Sequence, residues 1–186
     1  CPHVHAAADA AELSRLSTGR RHAVALRRTA AKAASLLAAG AVVRAAENGS
    51  VDFGAIGLAS PGGVLILLAF GIKCAFPLMH NWVQDAYPEA TPTGTVFLSA
   101  FTTKLAVYAL ARGYAGTEEL VWVGTVMAVF PIFYAVLEND LRRVLAYTLN
   151  NQLGFMVAGI GVGTTLAING AVAHAFVGIL YKALLF

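Results

Sequence analysis

The sequence predicts an all-α fold, a polytopic transmembrane helical bundle with a broken helix near Lys73–Pro77. Of the 186 residues, 58% are apolar and only 12% are charged, whereas a soluble domain usually carries about 25% charged residues. Several apolar runs approach the length of about 20 residues that a helix needs to cross a bilayer. One of those runs contains Lys73 and Pro77, and a proline interrupts the helical hydrogen bonds of the turn before it.

Positive charge is concentrated near the N-terminus. Residues 1–50 contain seven Lys and Arg against three acids, whereas residues 51–186 contain six bases against seven acids. Because the basic character belongs to one end, we divide the chain into a basic, Ala-rich segment (residues 1–46) and a transmembrane domain (residues 47–186). The low overall charge and the absence of a Gly repeat exclude nucleic-acid-binding, disordered and collagen-like classes.

The N-terminal segment contains one apolar stretch, residues 33–43. Eleven residues of helix extend only about 17 Å, roughly half of a bilayer core of about 30 Å. Basic residues precede this stretch, so we favour an interfacial or poorly formed helix, with a degraded membrane span as the alternative. Because the chain begins with Cys1 rather than Met and stops within an apolar run, we expect a fragment of a longer protein.

Five membrane spans are predicted downstream, separated by short polar connections. Residues 85–94 form a loop with two prolines, and residues 138–143 form a charged loop that contains Arg142 and Arg143. The opposite side of the bundle holds Arg112, so the excess of basic residues places residues 138–143 in the cytoplasm. The predicted spans are residues 61–82, 95–112, 120–137, 144–162 and 166–186.

Four ionisable side chains lie inside these spans and are the candidates for proton transfer. Lys73 and Lys104 lie about 18 and 15 Å along the first two spans, near the middle of the bilayer, and His174 and Lys182 lie in the last span. A charged side chain at the centre of a membrane helix costs about 2.5–3.5 kcal/mol on insertion scales. Since desolvation disfavours the charged form of an amine, a lysine at this depth is able to exchange its proton near neutral pH.

Structural roles compete with these assignments. Lys182 is near enough to a span end to snorkel, and His174 alone fits a core histidine bonded to a carbonyl. His80 and Trp82 fit an interfacial belt at the end of a span. His and Cys residues in the spans lack the spacing of metal ligands, so we predict no metal site and no catalytic residue.

Two further features indicate water within the bundle. Pro77 is expected to break the helix at the turn that begins at Lys73, and a broken helix at membrane depth is tolerated where it is buried or lines a water-filled cavity. The first half of the fourth span is polar and forms a candidate hydrated cluster, although its position beside the charged loop also fits a wet helix end. The members of this cluster are Thr148, Asn151 and Gln152.

Motifs along residues 47–186 resemble those of a known family, the antiporter-like proton-conducting membrane subunits of respiratory complex I and the Mrp-type Na⁺/H⁺ antiporters. Several motifs occur in the family's order and spacing, and among the members the chain looks closest to the D-type chains of the antiporters. The motifs are GIK (71–73), FPL (76–78) with His80, Trp82 and DA (85–86), PEATP (88–92), TKLAVY (103–108), DLRRVLAY (140–147), QLGFM (152–156), and His174 followed by KALLF (182–186).

The resemblance implies a fold of two inverted five-helix repeats, each with a broken helix, of which this chain would hold a fragment. It implies that Lys73 is the broken-helix lysine of the first half-channel and Lys104 the connecting base on the next helix. His174 would be the histidine relay residue of the second half.

Three features depart from the family pattern. The family usually has an intramembrane Glu that pairs with the broken-helix lysine, but the upstream candidates Glu12 and Glu47 lie outside apolar spans. A second His often lies four residues before the lysine of the KALLF motif, where this chain has Gly178. Residues 1–46 do not match a well-formed family helix.

We therefore predict proton translocation across a membrane, as a subunit of a multisubunit cation/proton antiporter. The first alternative is a proton-pumping membrane subunit of an NADH:quinone oxidoreductase-type complex, and the second is a structural membrane scaffold. The sequence contains no flavin, iron–sulfur or nucleotide motif, so we expect no cofactor, and any redox chemistry would belong to partner chains. The expected partners are other membrane subunits, protons, Na⁺ and the lipid bilayer, with no nucleic acid. The expected location is the bacterial inner membrane, as a multi-pass protein.

Overall fold

A computed structural model of the protein describes residues 18–50 and 52–186. Within those residues every regular element is helical and no strand is present, as predicted. The helices are α1 (Thr18–Asn48), α2 (Pro61–Lys73), α3 (Asn81–Glu89), α4 (Pro92–Phe97), α5 (Thr103–Gly113), α6 (Glu118–Leu137), α7 (Leu141–Val162) and α8 (Thr165–Leu185). A π-helical turn, Leu98–Thr102, joins α4 to α5 without a break.

Four helical stretches in the described part of the chain are long and apolar enough to cross a membrane. They are Ala23–Asn48, Pro92–Gly113, Glu118–Leu137 and Thr165–Leu185. The last three correspond to the predicted spans 95–112, 120–137 and 166–186. The predicted span 144–162 also forms one helix, α7, whose polar first half keeps it out of that group.

The predicted span 61–82 is not a single helix. It is divided into α2, which has 13 residues, and the beginning of α3. The predicted loop 85–94 is also shorter than expected, because Asp85–Glu89 continue α3 and Pro92 begins α4. Ser60 and Thr91 cap α2 and α4 by accepting a hydrogen bond from the backbone amide of the third residue of each helix, a role for which Ser and Thr are favoured.

The N-terminal helix is longer than the sequence suggested. Residues 33–43 lie within α1, a continuous helix of 31 residues, because its Ala, Leu and Arg residues are strong helix formers even where the segment is not apolar. A Cβ added at Gly40 would lie 2.9 Å from the carbonyl oxygen of Gly62. The two glycines therefore let α1 and α2 pack in close contact. The division of the chain into segments at residue 46 stays a prediction.

A tight hairpin of α6 and α7 forms the second half of the bundle. A Cβ added at Gly124 would lie 2.7 Å from the carbonyl oxygen of Gly154, and a Cβ at Gly154 would lie 2.7 Å from that of Gly124. Such backbone contact is the small-residue packing that membrane helices use to associate. The buried face of α7 continues this interface into the core, where Leu153 and Val157 have no exposed surface.

Candidate functional site

The helix break directly follows Lys73. The helix α2 ends at that lysine, four residues before Pro77, and α3 begins at Asn81. Within the connection, Ala75 and Leu78 have backbone φ angles of 61° and 69°, in the left-handed region that residues with a Cβ rarely occupy. Residues held in this way persist only where the surrounding structure fixes them. The broken helix predicted at Lys73–Pro77 is therefore confirmed.

Hydrogen bonds from buried groups hold the break in place. The indole Nε1 of Trp82 donates to the carbonyl oxygen of Ile72 at 2.8 Å, and the backbone N–H of Phe76 donates to the carbonyl of Gly71 at 2.9 Å. Both carbonyls belong to the last turn of α2, which has no helical donors of its own. Trp82 is only 6% exposed, so the expected interfacial position for this residue is wrong. It caps a helix end inside the protein.

His80, the other residue expected in an interfacial belt, is half-buried at the start of α3. Its ring packs edge-on against Phe130 of α6, with ring centroids 5.6 Å apart. Its Nδ1 atom is buried and has no hydrogen-bond partner in the described structure. This side chain therefore faces the bundle rather than a membrane surface.

Lys73 is half-buried and lines a cleft of about 440 Å³ between α1, α2 and the 92–113 helix. No ion pair involving Lys73 occurs among the described residues. Of the two acids considered as its partner, Glu47 is exposed at the end of α1 and Glu12 lies outside the described residues. The other lining residues are Ala30, Ala33, Ala34, Leu37, Ala69, Phe70, Thr102, Leu105 and Ala106.

Lys104 is buried at the start of α5. It lies in the first turn of α5, directly after the π-helical turn, and is only 7% exposed. π-Helical turns in α-helices are often found at functional sites. Lys104 lies close enough to Lys182 and His174 of α8 for their charges to influence one another.

Lys182 lies in the last turns of α8 and is 2% exposed. Its Nζ donates to Thr148 Oγ1 at 2.6 Å and to the carbonyl oxygen of Leu145 at 3.4 Å. The amine therefore does not snorkel to a membrane surface, the structural role considered for it from sequence. Instead it joins α8 to the polar first half of α7.

His174 lies two turns before Lys182 on α8 and is half-buried. Its ring stacks on Phe155 of α7, with centroids 6.5 Å apart and an interplanar angle of 23°. Between the two residues, a Cβ at Gly178 would have its nearest neighbour, Met156 Cε, at 3.5 Å. This is ordinary van der Waals contact. The glycine that stands where the family often has a second histidine is therefore not packed more tightly than a small side chain would allow.

The polar cluster predicted on α7 is divided among different partners. Thr148 contacts Lys182, whereas the side-chain amide of Asn151 donates to the carbonyl oxygen of Ala128 on α6. Gln152 is half-buried. Two of the three residues of the cluster therefore form hydrogen bonds to neighbouring helices. A solvated helix end would not need such bonds.

Three polar residues were not among the candidate site residues named from the sequence. Gln84 on α3 is 6% exposed and Asn150 on α7 is 2% exposed; both amide atoms of Gln84 and the Oδ1 of Asn150 are buried without a partner in the described structure. Buried polar atoms are nearly always paired, with protein or with water, so these amides are natural positions for bound water. Gln84 did not stand out in the sequence, because it borders the predicted loop, whereas Asn150 lies in the polar first half of the fourth span, between two members of the predicted cluster.

Arg142 is the third missed residue, because the sequence assigned it only a role in membrane orientation. Its guanidinium donates to the carbonyl oxygens of Pro88 at 2.9 Å and Ala90 at 3.4 Å. These carbonyls lie at the C-terminal end of α3, where cations are favoured. Arg142 thus fastens the start of α7 to the second half of the broken helix. Within the described residues, no group of His, Cys, Asp and Glu is arranged to hold a metal ion.

Comparison with known proteins identifies this arrangement. Residues 23–186 match a family model described as NADH:quinone oxidoreductase/Mrp antiporter, transmembrane region. The chain belongs to this family. The match to the NADH:quinone oxidoreductase/Mrp antiporter family begins within α1, upstream of the region in which motifs were recognised.

Individual relatives represent both branches of the family. The chain is 35% identical to NADH-quinone oxidoreductase subunit N of Desulforudis audaxviator, over 66% of this chain and 27% of that protein. It is 26% identical to hydrogenase-4 component B of Escherichia coli, over 75% of this chain and 25% of that protein. A chain of the Mrp complex from Dietzia sp. matches with a TM-score of 0.80 and 25% identity, over 89% of this chain and 34% of that chain.

The match to the Mrp complex supports the antiporter-like fold predicted from the motifs. This chain spans about a quarter of the curated relatives and about a third of the Mrp chain. It is a multi-pass membrane protein of a family whose members above are named as subunits or components of larger assemblies.

Proposed function

We propose that this protein moves protons across a membrane as a subunit of a multisubunit cation/proton antiporter. The observation that supports this function best is the burial of two lysines without a carboxylate partner among the described residues. Lys104 is 7% exposed and Lys182 is 2% exposed, and neither forms an ion pair there. Burying an ammonium group costs several kcal/mol, roughly, so a buried amine with no countercharge gives up its proton more easily than an amine in water.

The order of the groups suggests how protons would move. Lys73 lies at the helix break, Lys104 on the neighbouring helix interacts with Lys182 and His174, and the last two lie on α8. A change of charge at Lys104 would alter the proton affinities of Lys182 and His174 on α8, and Lys73 at the helix break would deliver protons to Lys104. At an effective dielectric constant of 20, two unit charges about 10 Å apart interact by roughly 1.7 kcal/mol. An interaction of that size shifts a proton equilibrium by more than tenfold, roughly.

The test is proton flux in proteoliposomes that contain the full-length protein with its partner subunits. Lys73→Met and Lys104→Met should each abolish flux while the amount of assembled complex stays unchanged. Lys32→Met is the matched control, because Lys32 is an exposed lysine on α1 and should tolerate the same change. Normal flux in both the Lys73 and the Lys104 variant would leave the structural scaffold as the better explanation.

A second function, the proton-pumping membrane subunit of an NADH:quinone oxidoreductase-type complex, is favoured by the 35% identity to a subunit N. Purification of the native assembly separates the two. Iron–sulfur and flavin subunits in the complex would support the oxidoreductase, whereas Na⁺-dependent proton exchange without them would support the antiporter. We expect either assembly in the bacterial inner membrane, and fractionation of the host cells tests that location.

A further inference from the structure

A side chain that no part of the proposed proton path yet uses lies directly against Lys182. Thr148 Oγ1 is 2.6 Å from Lys182 Nζ, and this hydroxyl also donates to the carbonyl oxygen of Leu145 at 3.0 Å. The same carbonyl accepts a longer, 3.4 Å bond from Lys182. The threonine oxygen is therefore the nearest acceptor for the amine, and its proton is directed away from it.

The partners of Lys182 are neutral. No acid among the described residues forms a salt bridge with it, and the nearby charged group on which Lys182 acts is another cation, Lys104 of α5. The ring of Tyr181 lies 5.9 Å from Nζ, within the range of a weak cation–π contact. A hydroxyl, a carbonyl and an aromatic ring thus surround this amine, and none of them fixes it in the charged form as a carboxylate would.

A hydroxyl differs from a carboxylate because it both donates and accepts hydrogen bonds. When Lys182 is charged, Thr148 accepts from the ammonium and donates to Leu145, which is the arrangement observed. When Lys182 is neutral, a rotation about the C–O bond of Thr148 turns its proton toward the amine lone pair. The nitrogen, the oxygen and the helices need not move. The bond between the hydroxyl and the amine reverses direction, and the hydroxyl gives up its bond to the Leu145 carbonyl, which keeps the amine as a donor.

We propose that Thr148 is a positioning residue that pairs with Lys182 in both of its protonation states. It holds the amine at one place while the proton arrives and leaves, and it keeps a buried polar atom from becoming unpaired in either state. The inference deepens the proposed proton translocation and rests on it for its effect on flux. The hydrogen bond itself can be tested separately.

The flux experiment compares three variants of the full-length protein in its assembled complex. Thr148→Val preserves the branched shape but removes the hydroxyl, and should lower proton flux about tenfold or more, as expected for loss of a hydrogen bond to a charged group. Thr148→Ser keeps the hydroxyl and should retain flux within about twofold. Thr125→Val is the control, because Thr125 Oγ1 makes the same kind of bond to a carbonyl of its own helix at 2.7 Å on an exposed face.

The stability experiment measures the contact without relying on flux. Thr148→Val should lower the thermal midpoint of the purified protein, but it should have almost no effect when Lys182→Met is already present, because the amine that needs the hydroxyl is gone. This non-additivity is the expected result for two residues in direct contact. Additive effects in the double variant would overturn the inference.

The outcomes separate this inference from the proposed function. If Lys73→Met and Lys104→Met abolish flux but Thr148→Val does not, the inference fails and proton translocation stands. Equal losses in Thr148→Val and Thr148→Ser would also overturn it, since shape rather than the hydroxyl would then be responsible. If the lysine variants all conduct normally, the proposed function fails, and the double-variant stability measurement still decides whether Thr148 and Lys182 are coupled.

Discussion

Replacing Trp82 with Phe should loosen the helix break without disturbing the core around it. The substitution removes the indole N–H that donates to the carbonyl of Ile72 at 2.8 Å. A phenyl ring keeps the apolar contacts, including the edge-on packing against Tyr87, whose ring centroid is 6.0 Å away. The change therefore isolates one hydrogen bond at the residue before Lys73.

The size of the effect follows from what remains at that carbonyl. After the substitution, Ile72 O retains a 3.3 Å bond from the backbone N–H of Ala75, itself a residue with strained backbone, and a share of the Cys74 N–H, which also donates to Phe70. A buried group that loses its partner costs about 1–3 kcal/mol, and the weak remaining bonds favour the lower end, about 1–2 kcal/mol. Because every 1.4 kcal/mol is about a factor of ten, the native break would lose roughly five- to thirtyfold in population against rearranged forms.

Two measurements on the full-length protein check this prediction. The thermal midpoint should fall by about 2–4 °C for each kcal/mol in a domain of this size, and proton flux should fall because Lys73 is no longer held in place. Trp122→Phe is the matched control, since Trp122 is 69% exposed and lies inside α6 rather than at a helix break. If the Trp82 and Trp122 variants behaved alike in both assays, the indole could not be the group that fixes the break.

Two backbone predictions follow from the same contacts. Gly154→Ala should destabilise the α6–α7 hairpin by about 1–3 kcal/mol, because the new Cβ would lie 2.7 Å from a backbone oxygen. Gly170→Ala should be tolerated, because a Cβ there has no neighbour within 4 Å. Folded yield and thermal midpoint of the two variants check this, and equal midpoints would contradict it. Ala75→Gly should be neutral or stabilising by up to about 1 kcal/mol, since the φ of 61° costs a residue with a Cβ about 1–2 kcal/mol. Ala173→Gly, at an exposed position inside α8, should instead lower the free energy of unfolding by about 1 kcal/mol. A loss of stability in both variants would contradict backbone strain at Ala75.

The sequence was most informative where one residue type decides the outcome. Apolar runs predicted three of the membrane-length helices almost to their ends, and Pro77 predicted a break near Lys73–Pro77 within the span 61–82. Proline alone was not sufficient, because Pro131 lies inside α6 without ending it. The break also needs the left-handed residues and the Trp82 cap, which no local pattern reveals.

Contacts between distant segments were beyond the sequence. Thr148 and Lys182 are separated by 34 positions, and Arg142 reaches carbonyls 52 and 54 positions away. Such pairs depend on how the helices pack, so the sequence identified the ionisable residues but not their partners. The long helix α1 was underestimated for a different reason. Its alanines favour a helix strongly, and the basic residues among them obscured the apolar character of Ala23–Asn48.

The backbone contact between Gly124 and Gly154 has a consequence for motion. Two helices whose main chains touch have no side-chain layer to rearrange, so the α6–α7 pair is expected to behave as one rigid body. Any conformational change that accompanies turnover would then be confined to its surroundings. The hinge would be the seven-residue connection between α2 and α3, where the protein already stores conformational strain beside its first ionisable group.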